Sequence, residues 1–253
     1  MAKLEYKDLL DAGVHFGHLT RKWDPRMAPY IFMEKNGIHI IDLNKTLACL
    51  DEASNAIKQV VRSGKKVMFV ATKKQAKDLV AAEAQRLNMP YVTERWLGGM
   101  LTNFATIRKS LKKMSGLDKL MKEEAYMNLA KKERLMVSRQ KDKMEDVLGG
   151  ISDLSRLPAA LFIVDIKREH IAIAEAKKLG IPVFALVDTN SNPNEVDFPI
   201  PANDDAFKSV SLLVKAFGAA IEEGLSERKK DKEEAKLSEE EEAKKAVDAE
   251  TKE

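Results

Sequence analysis

Cysteine is almost missing from this 253-residue chain: Cys49 is the only one. That excludes an intrachain disulfide and a cysteine cluster around zinc, and it fits a reducing compartment. Long apolar runs are missing as well. No stretch of about eighteen apolar residues occurs, so the sequence predicts no membrane span. The opening Met-Ala-Lys-Leu-Glu-Tyr-Lys lacks the apolar segment of a secretory leader, and a cytoplasmic protein is expected. The glycine patterns of nucleotide chemistry are absent too. There is no G-x-G-x-x-G turn, no Gly-Lys-Thr phosphate loop and no G-x-S-x-G elbow. Nor does one sign of charge dominate, for the formal net is only +3.

What is present is charge in quantity, unevenly spread. Charged residues make up 33% of the chain, against a typical quarter. From Ser226 to the end there are 8 basic and 11 acidic residues, a net of −3, which leaves +6 on residues 1–225. Between Phe104 and Asp146 there are 12 basic and 7 acidic residues. One short segment, at a net of +5, thus carries most of the net positive charge of residues 1–225, the electrostatic footprint of a nucleic-acid binder.

Three nearly continuous apolar runs, Lys66 to Ala71, Ala160 to Asp165 and Pro182 to Asp188, predict strands buried on both faces, as in a parallel sheet. Helical periodicity is expected over Thr46–Val61, Lys74–Leu87, His170–Leu179 and Asp204–Ile221, with Asp204 and Asp205 in the first turn of the last. Strands alternating with helices predict a doubly wound α/β domain. Residues 103–148 break the rhythm. Ile107, Leu111, Met114 and Met121 recur at three-four spacing, a polar break follows near Glu123 to Asn128, and Val137, Met144 and Val147 resume the pattern. This predicts an antiparallel coiled-coil hairpin inserted between Gly98-Gly99 and Gly149-Gly150. The expected organisation is an α/β core over 1–102 and 149–225, a hairpin over 103–148 and a mobile charged tail over 226–253.

Three segments offer binding chemistry. In Arg95-Trp96-Leu-Gly-Gly-Met-Leu-Thr-Asn103 a guanidinium, an indole and paired glycines suit phosphate and base contact. A buried Trp beside a tight turn is the plainer alternative. The N-terminal loop carries Arg21, Lys22, Trp23 and Arg26 between glycine and proline, a mixture that suits folded RNA. Arg108, Lys109, Lys112 and Lys113 crowd the start of the hairpin. Lys73 and Lys74 follow the first apolar run, where a sheet enzyme would hold a phosphate, so a nucleotide- or small-molecule-binding enzyme is the rival reading. His15 and His18 read as a loop, and His39 as a hydrogen-bonded structural histidine in a strand. His18, Asp188, Asp204 and Asp205 form a weak divalent-cation constellation, with turn and N-cap carboxylates as the alternative.

Leu10-Asp-Ala-Gly-Val-His-Phe-Gly-His18, Lys22-Trp-Asp-Pro-Arg-Met27, Arg95 to Asn103, Pro158 to Pro182 with Asp165, Glu169, His170 and Glu175, and Val187-Asp-Thr-Asn-Ser-Asn-Pro193 occur in that order. Together they resemble the family of ribosomal protein S-two, the second protein of the bacterial small subunit, over residues 4 to 225. The resemblance implies a flavodoxin-like parallel sheet with a coiled-coil insertion. It implies a non-enzymatic role on small-subunit rRNA between head and body, beside other subunit proteins. Members help dock the mRNA-binding protein S-one. No cofactor, DNA or membrane partner is implied.

Overall fold

The computed structural model describes residues 4–122, 126 and 128–250, with side chains through Asp231. A short helix α1 (Tyr6–Asp11) precedes three small strands, β1 (Phe16–Leu19), β2 (Ile31–Lys35) and β3 (Ile38–Ile41). These form an antiparallel sheet in the order β1-β3-β2. The sequence reading anticipated only β3. Helix α2 (Leu43–Arg62) leads to β4 (Val67–Val70), α3 (Lys77–Arg86) and the two-residue β5 (Tyr91–Val92). Two long helices follow, α4 (Phe104–Lys122) and α5 (Lys131–Leu148). Then come β6 (Ala160–Val164), α6 (His170–Leu179), β7 (Val183–Val187), β8 (Phe198–Pro201) and α7 (Phe207–Glu250).

Strands β4 to β8 form one parallel sheet in the order β5-β4-β6-β7-β8. The order reverses between β4 and β6, whose register pairs Val67 with Ala160 and Phe69 with Phe162. Alternation splits these apolar runs between two cores. Phe69, Phe162 and Phe184 point to α2, α3 and α7, where Phe217 stacks on Phe162 with ring centroids 4.2 Å apart. Met68, Val70, Leu161, Ile163 and Ala185 point the other way, to α6, Trp96, Met100 and the root of α4 and α5. Both faces are covered, which is why the strands read as unbroken apolar runs.

Local chemistry sets the element ends. The Asp42 side chain accepts from Asn44 N at 3.0 Å and starts α2 three residues earlier than its apolar pattern suggests. Gly180 takes φ +64° and closes α6 where periodicity placed its end. Helix α7 begins at Phe207, not Asp204. The Asn203 side chain accepts from the backbone N–H of Asp205 and Ala206, so neither aspartate sits in the first turn. The charged segment after Ser226 continues α7 as helix, and Arg62 pairs with Asp231 at 2.7 Å. Packing of residues 207–221 nucleates that helix, and extension costs far less than nucleation. The Glu-Lys spacing of this segment is compatible with that helix.

Tyr126 donates its hydroxyl to the Arg134 carbonyl at 3.2 Å, and Lys141 meets Asp118 at 2.9 Å. Contacts at growing sequence separation mean that α4 and α5 run in opposite directions. Of the polar break expected near Glu123 to Asn128, residues 123–125 and 127 lie outside the described residues.

Candidate RNA interface and the cluster at the strand ends

The small N-terminal sheet lies over the carboxyl ends of the large one. Gly17 permits this: a Cβ there would come 2.5 Å from Thr189 Cγ2 and 3.0 Å from the His39 carbonyl. His18 N donates to Thr189 Oγ1 at 2.8 Å and Asp24 N to the Thr189 carbonyl at 2.8 Å. His18 thus sits on a strand, not in a loop. His15 stays apart, with its ring against Phe16 at 4.0 Å. His39 is buried, but among the described residues neither ring nitrogen has a hydrogen-bond partner; its ring contact is Trp23 at 4.9 Å. The expected hydrogen-bonded histidine is corrected to a packed one.

The docking of His18 completes a buried charge cluster at the switch point between β4 and β6. Lys73 Nζ lies 2.8 Å from Asp204 Oδ1, 2.6 Å from Asp205 Oδ1 and 3.8 Å from Asp165 Oδ2. His18 Nδ1 lies 2.9 Å from Asp188 Oδ2, and its Nε2 lies 3.1 Å from Asn190 Nδ2. Lys73 is 9% exposed, Asp188 1% and Asp204 0%. Lys73 is therefore not a phosphate-binding lysine: its ammonium is spent on carboxylates, while the adjacent Lys74 is exposed. The signal was present in the alternation, since Lys73 continues the inward parity of Phe69 and Ala71.

Four carboxylates here face one ammonium and one imidazole. Burial, with the Asp188 and Asp165 charges, pushes Asp204 up to about 7 against the pull of Lys73. Burial would lower Lys73, but Asp204, Asp205 and Asp165 outweigh it and hold it above the ordinary lysine value. The Asp188 carboxylate beside His18 raises that imidazole. Among the described residues, buried Asp204 Oδ2 has no hydrogen-bond partner and Asp188 Oδ2 lacks an aligned one. One ligand atom each from His18, Asp188 and Asp204 lie within 4.8 Å of one another. That donor set, one nitrogen and two oxygens, suits a borderline divalent ion. All four weak cation candidates meet here: His18, Asp188 and Asp204 form the tighter donor group, while Asp205 pairs with Lys73 through Oδ1 and lies 3.4 Å from His18 Nε2 through Oδ2.

In the Arg95–Asn103 turn, neighbouring side chains go opposite ways. Arg95 is exposed, whereas Trp96 is 6% exposed and lies in the core beneath the sheet. Base contact through Trp96 is thereby corrected: the indole packs against apolar neighbours, and its Nε1–H donates to Glu175 at 3.1 Å. Glu175 also accepts from Gly99 N at 2.7 Å, Leu101 N at 2.9 Å, and Thr102 N and Oγ1 at 3.0 and 3.1 Å. Burial would raise this carboxyl, but those donors outweigh burial and hold it below the ordinary glutamate value. The sequence reading gave Glu175 no role. A carboxylate beside Ala172 and Ala176 on the buried stripe of α6 was the available signal.

Asn103 is exposed, and its Oδ1 accepts from Thr106 Oγ1 at 2.9 Å at the start of α4. Along that helix Ile107, Leu111 and Met114 are buried, while Arg108, Lys109, Lys112 and Lys113 are exposed. Arg21, Lys22, Arg26 and Trp23 are exposed on the N-terminal loop, and Lys22 acts electrostatically on Asp205. Among the described residues no helix is long and apolar enough to cross a membrane.

A family model described as ribosomal protein S2 matches residues 9–224. A protein of Cytophaga hutchinsonii named small ribosomal subunit protein uS2 is 75% identical over 246 residues, which is 97% of either chain. Proteins of the same name from Flavobacterium johnsoniae and Bacteroides thetaiotaomicron are 64% and 62% identical. The matches cover 91% of both chains in the first case, and 92% of this chain and 84% of the relative in the second.

Proposed function

Since this chain belongs to the ribosomal protein S2 family, we propose that it is a structural, non-catalytic constituent of the bacterial small ribosomal subunit in the cytoplasm. It binds small-subunit rRNA mainly through phosphates. The observation that carries the RNA reading is the face of α4, where Arg108, Lys109, Lys112 and Lys113 are exposed while Ile107, Leu111 and Met114 are buried. Cations fixed on a packed helix can neutralise phosphates and release counterions without reading bases. Arg21, Lys22, Trp23, Arg26, Lys74, Arg95 and Asn103 extend the surface; Lys73 and Trp96 do not belong to it. In this reading the sheet is flavodoxin-like, with strand order 2-1-3-4-5. Residues 103–148 form a coiled-coil arm inserted into the α/β core of 1–102 and 149–225, and the charged segment 226–253 is dispensable for docking.

Neighbouring subunit proteins, the mRNA-binding protein S-one among them, are the proposed protein partners. Tyr6, Leu10, Phe16, Phe32 and Met33, all exposed, line one side of the N-terminal sheet and give such a partner an apolar surface. The test is replacement of Arg108, Lys109, Lys112 and Lys113 by Glu. The α/β core should stay folded while occupancy in purified small subunits collapses. Normal occupancy would overturn the arm as an RNA contact.

A second reading rests on the orphaned oxygen of Asp204 and its convergence with His18 and Asp188. These residues hold one borderline divalent cation, which ties the N-terminal sheet to the strand ends. Zinc should raise the thermal midpoint of wild-type protein and leave an Asp204→Asn variant unmoved. Equal shifts in both would refute it.

A further inference from the structure

The Glu175 carboxylate is buried in the Arg95–Asn103 turn, with no salt bridge to a cation among the described residues. It faces five donors and no acceptor: the Trp96 Nε1–H, the backbone N–H groups of Gly99, Leu101 and Thr102, and the Thr102 hydroxyl. Three backbone donors converging on one anion make a nest built inside out, with the anion supplied by the protein's own helix α6. Gly99 takes φ +86°, which lets the chain bend around the carboxylate. The turn's inner surface is consumed in this way, and its outer surface is left open. Arg95, Gly98, Thr102 and Asn103 are exposed, and a Cβ built on Gly98 would meet nothing within 4 Å.

We infer that Glu175 is the positioning residue of this turn: it fixes the backbone so that Arg95 and Asn103 are presented to RNA in one preformed arrangement. The inference rests on the reading of the turn as an RNA contact. Two features favour a shaping role over simple packing. A hydrophobic residue of the same size would fill the space as well but would leave four N–H groups, those of Trp96 Nε1, Gly99, Leu101 and Thr102, without their acceptor. A glutamine would not substitute either. Whichever way its amide lies, the NH2 meets donors, because both carboxylate oxygens accept from N–H groups. The site is thus specific for a full anion, and the turn is held by charge-assisted hydrogen bonds. Ordering the turn before RNA arrives removes that cost from binding.

The experiment is a double-mutant cycle on full-length protein, read as affinity for refolded, protein-free small-subunit rRNA at fixed salt. Arg95→Ala should weaken binding of the wild-type protein by about tenfold, the loss expected for one charge-assisted contact. Glu175→Gln should weaken it similarly, and Arg95→Ala should then add almost nothing, because the arginine is already misplaced. A control, Val80→Ala, lowers stability from the opposite face of the sheet, and its effect should simply add to that of Arg95→Ala. Should Glu175→Gln fail to fold, Trp96→Phe removes only the indole donor and should show the same coupling on a smaller scale. Full additivity between the Arg95 and the Glu175 or Trp96 changes would overturn the positioning role and leave the RNA contact standing. No effect of Arg95→Ala in the wild-type background would overturn the contact and the inference with it.

Discussion

Lys73→Met is the sharpest test of the strand-end cluster. In the folded protein the Lys73 ammonium is shared by Asp204 and Asp205 at 2.8 and 2.6 Å, with Asp165 at 3.8 Å. Methionine keeps an unbranched chain one heavy atom shorter and removes the ammonium, with its charge and its hydrogen-bond donors. It leaves Asp204, fully buried, with Asp188 and Asp165 as like-charged neighbours. Breaking a buried pair by removing one partner costs about 3–5 kcal/mol. At about 2–4 °C per kcal/mol for a chain of this size, the thermal midpoint should fall by roughly 6–20 °C. The penalty should depend on pH. A carboxyl whose folded pKa is raised loses folding stability as pH climbs from its unfolded value through its folded one. Asp204 already stands at about 7, and loss of Lys73 moves it higher. The deficit should therefore be smallest near pH 5 and largest near pH 8. The assay is thermal unfolding by circular dichroism at several pH values, with rRNA affinity measured below the transition. Folded variant should bind RNA about as well as wild type. A midpoint within about 2 °C of wild type together with lost RNA affinity would show that Lys73 is a phosphate contact after all.

Other outcomes follow from the same geometry. Trp96→Ala should cost about 3–5 kcal/mol in urea unfolding, whereas Arg95→Ala should barely move the midpoint; equal effects would contradict their opposite burial. Glu175 is held below the ordinary glutamate value, so it adds stability above its unfolded pKa that is lost on acidification. The protection factors of the Gly99, Leu101 and Thr102 amides, taken against intrinsic exchange at each pH, should fall as pH drops from 6 to 3, and this fall should vanish in Glu175→Gln. Log affinity for rRNA against log salt should have a slope of several units, up to about −0.9 per duplex phosphate. Swapping base pairs while preserving RNA shape should matter little; a flat salt response with a large sequence effect would rule out phosphate-led binding.

The framework of the fold is legible in the residue pattern. Continuous apolar runs marked β4, β6 and β7, because strands covered on both faces must be apolar at every position. Three-four spacing with Gly180 located α6, and ordered motifs from Leu10 to Pro193 carried the family. Strand β5, two residues long, and β8, with prolines at 199 and 201, were not legible: too short, or too rich in proline, for periodicity to register. The N-terminal sheet was hidden by glycines, prolines and basic residues that read as loop.

Which polar residues turn inward depends on contacts made only in the folded chain. Lys73 and Lys74 are identical in type and adjacent, yet Lys73 is buried against Asp204, 131 residues away, and Lys74 is exposed. Trp96 goes to the core because Glu175, 79 residues on, offers its indole an acceptor; Arg95 has solvent instead. Asp204 lies outside the helix foreseen for it because the Asn203 side chain holds residues 203–206 in a turn and Lys73 takes the Asp204 carboxylate. Local pattern gives the period and the face. Burial of a charge or of a polar donor depends on a partner far along the chain, and that partner exists only once the chain has folded.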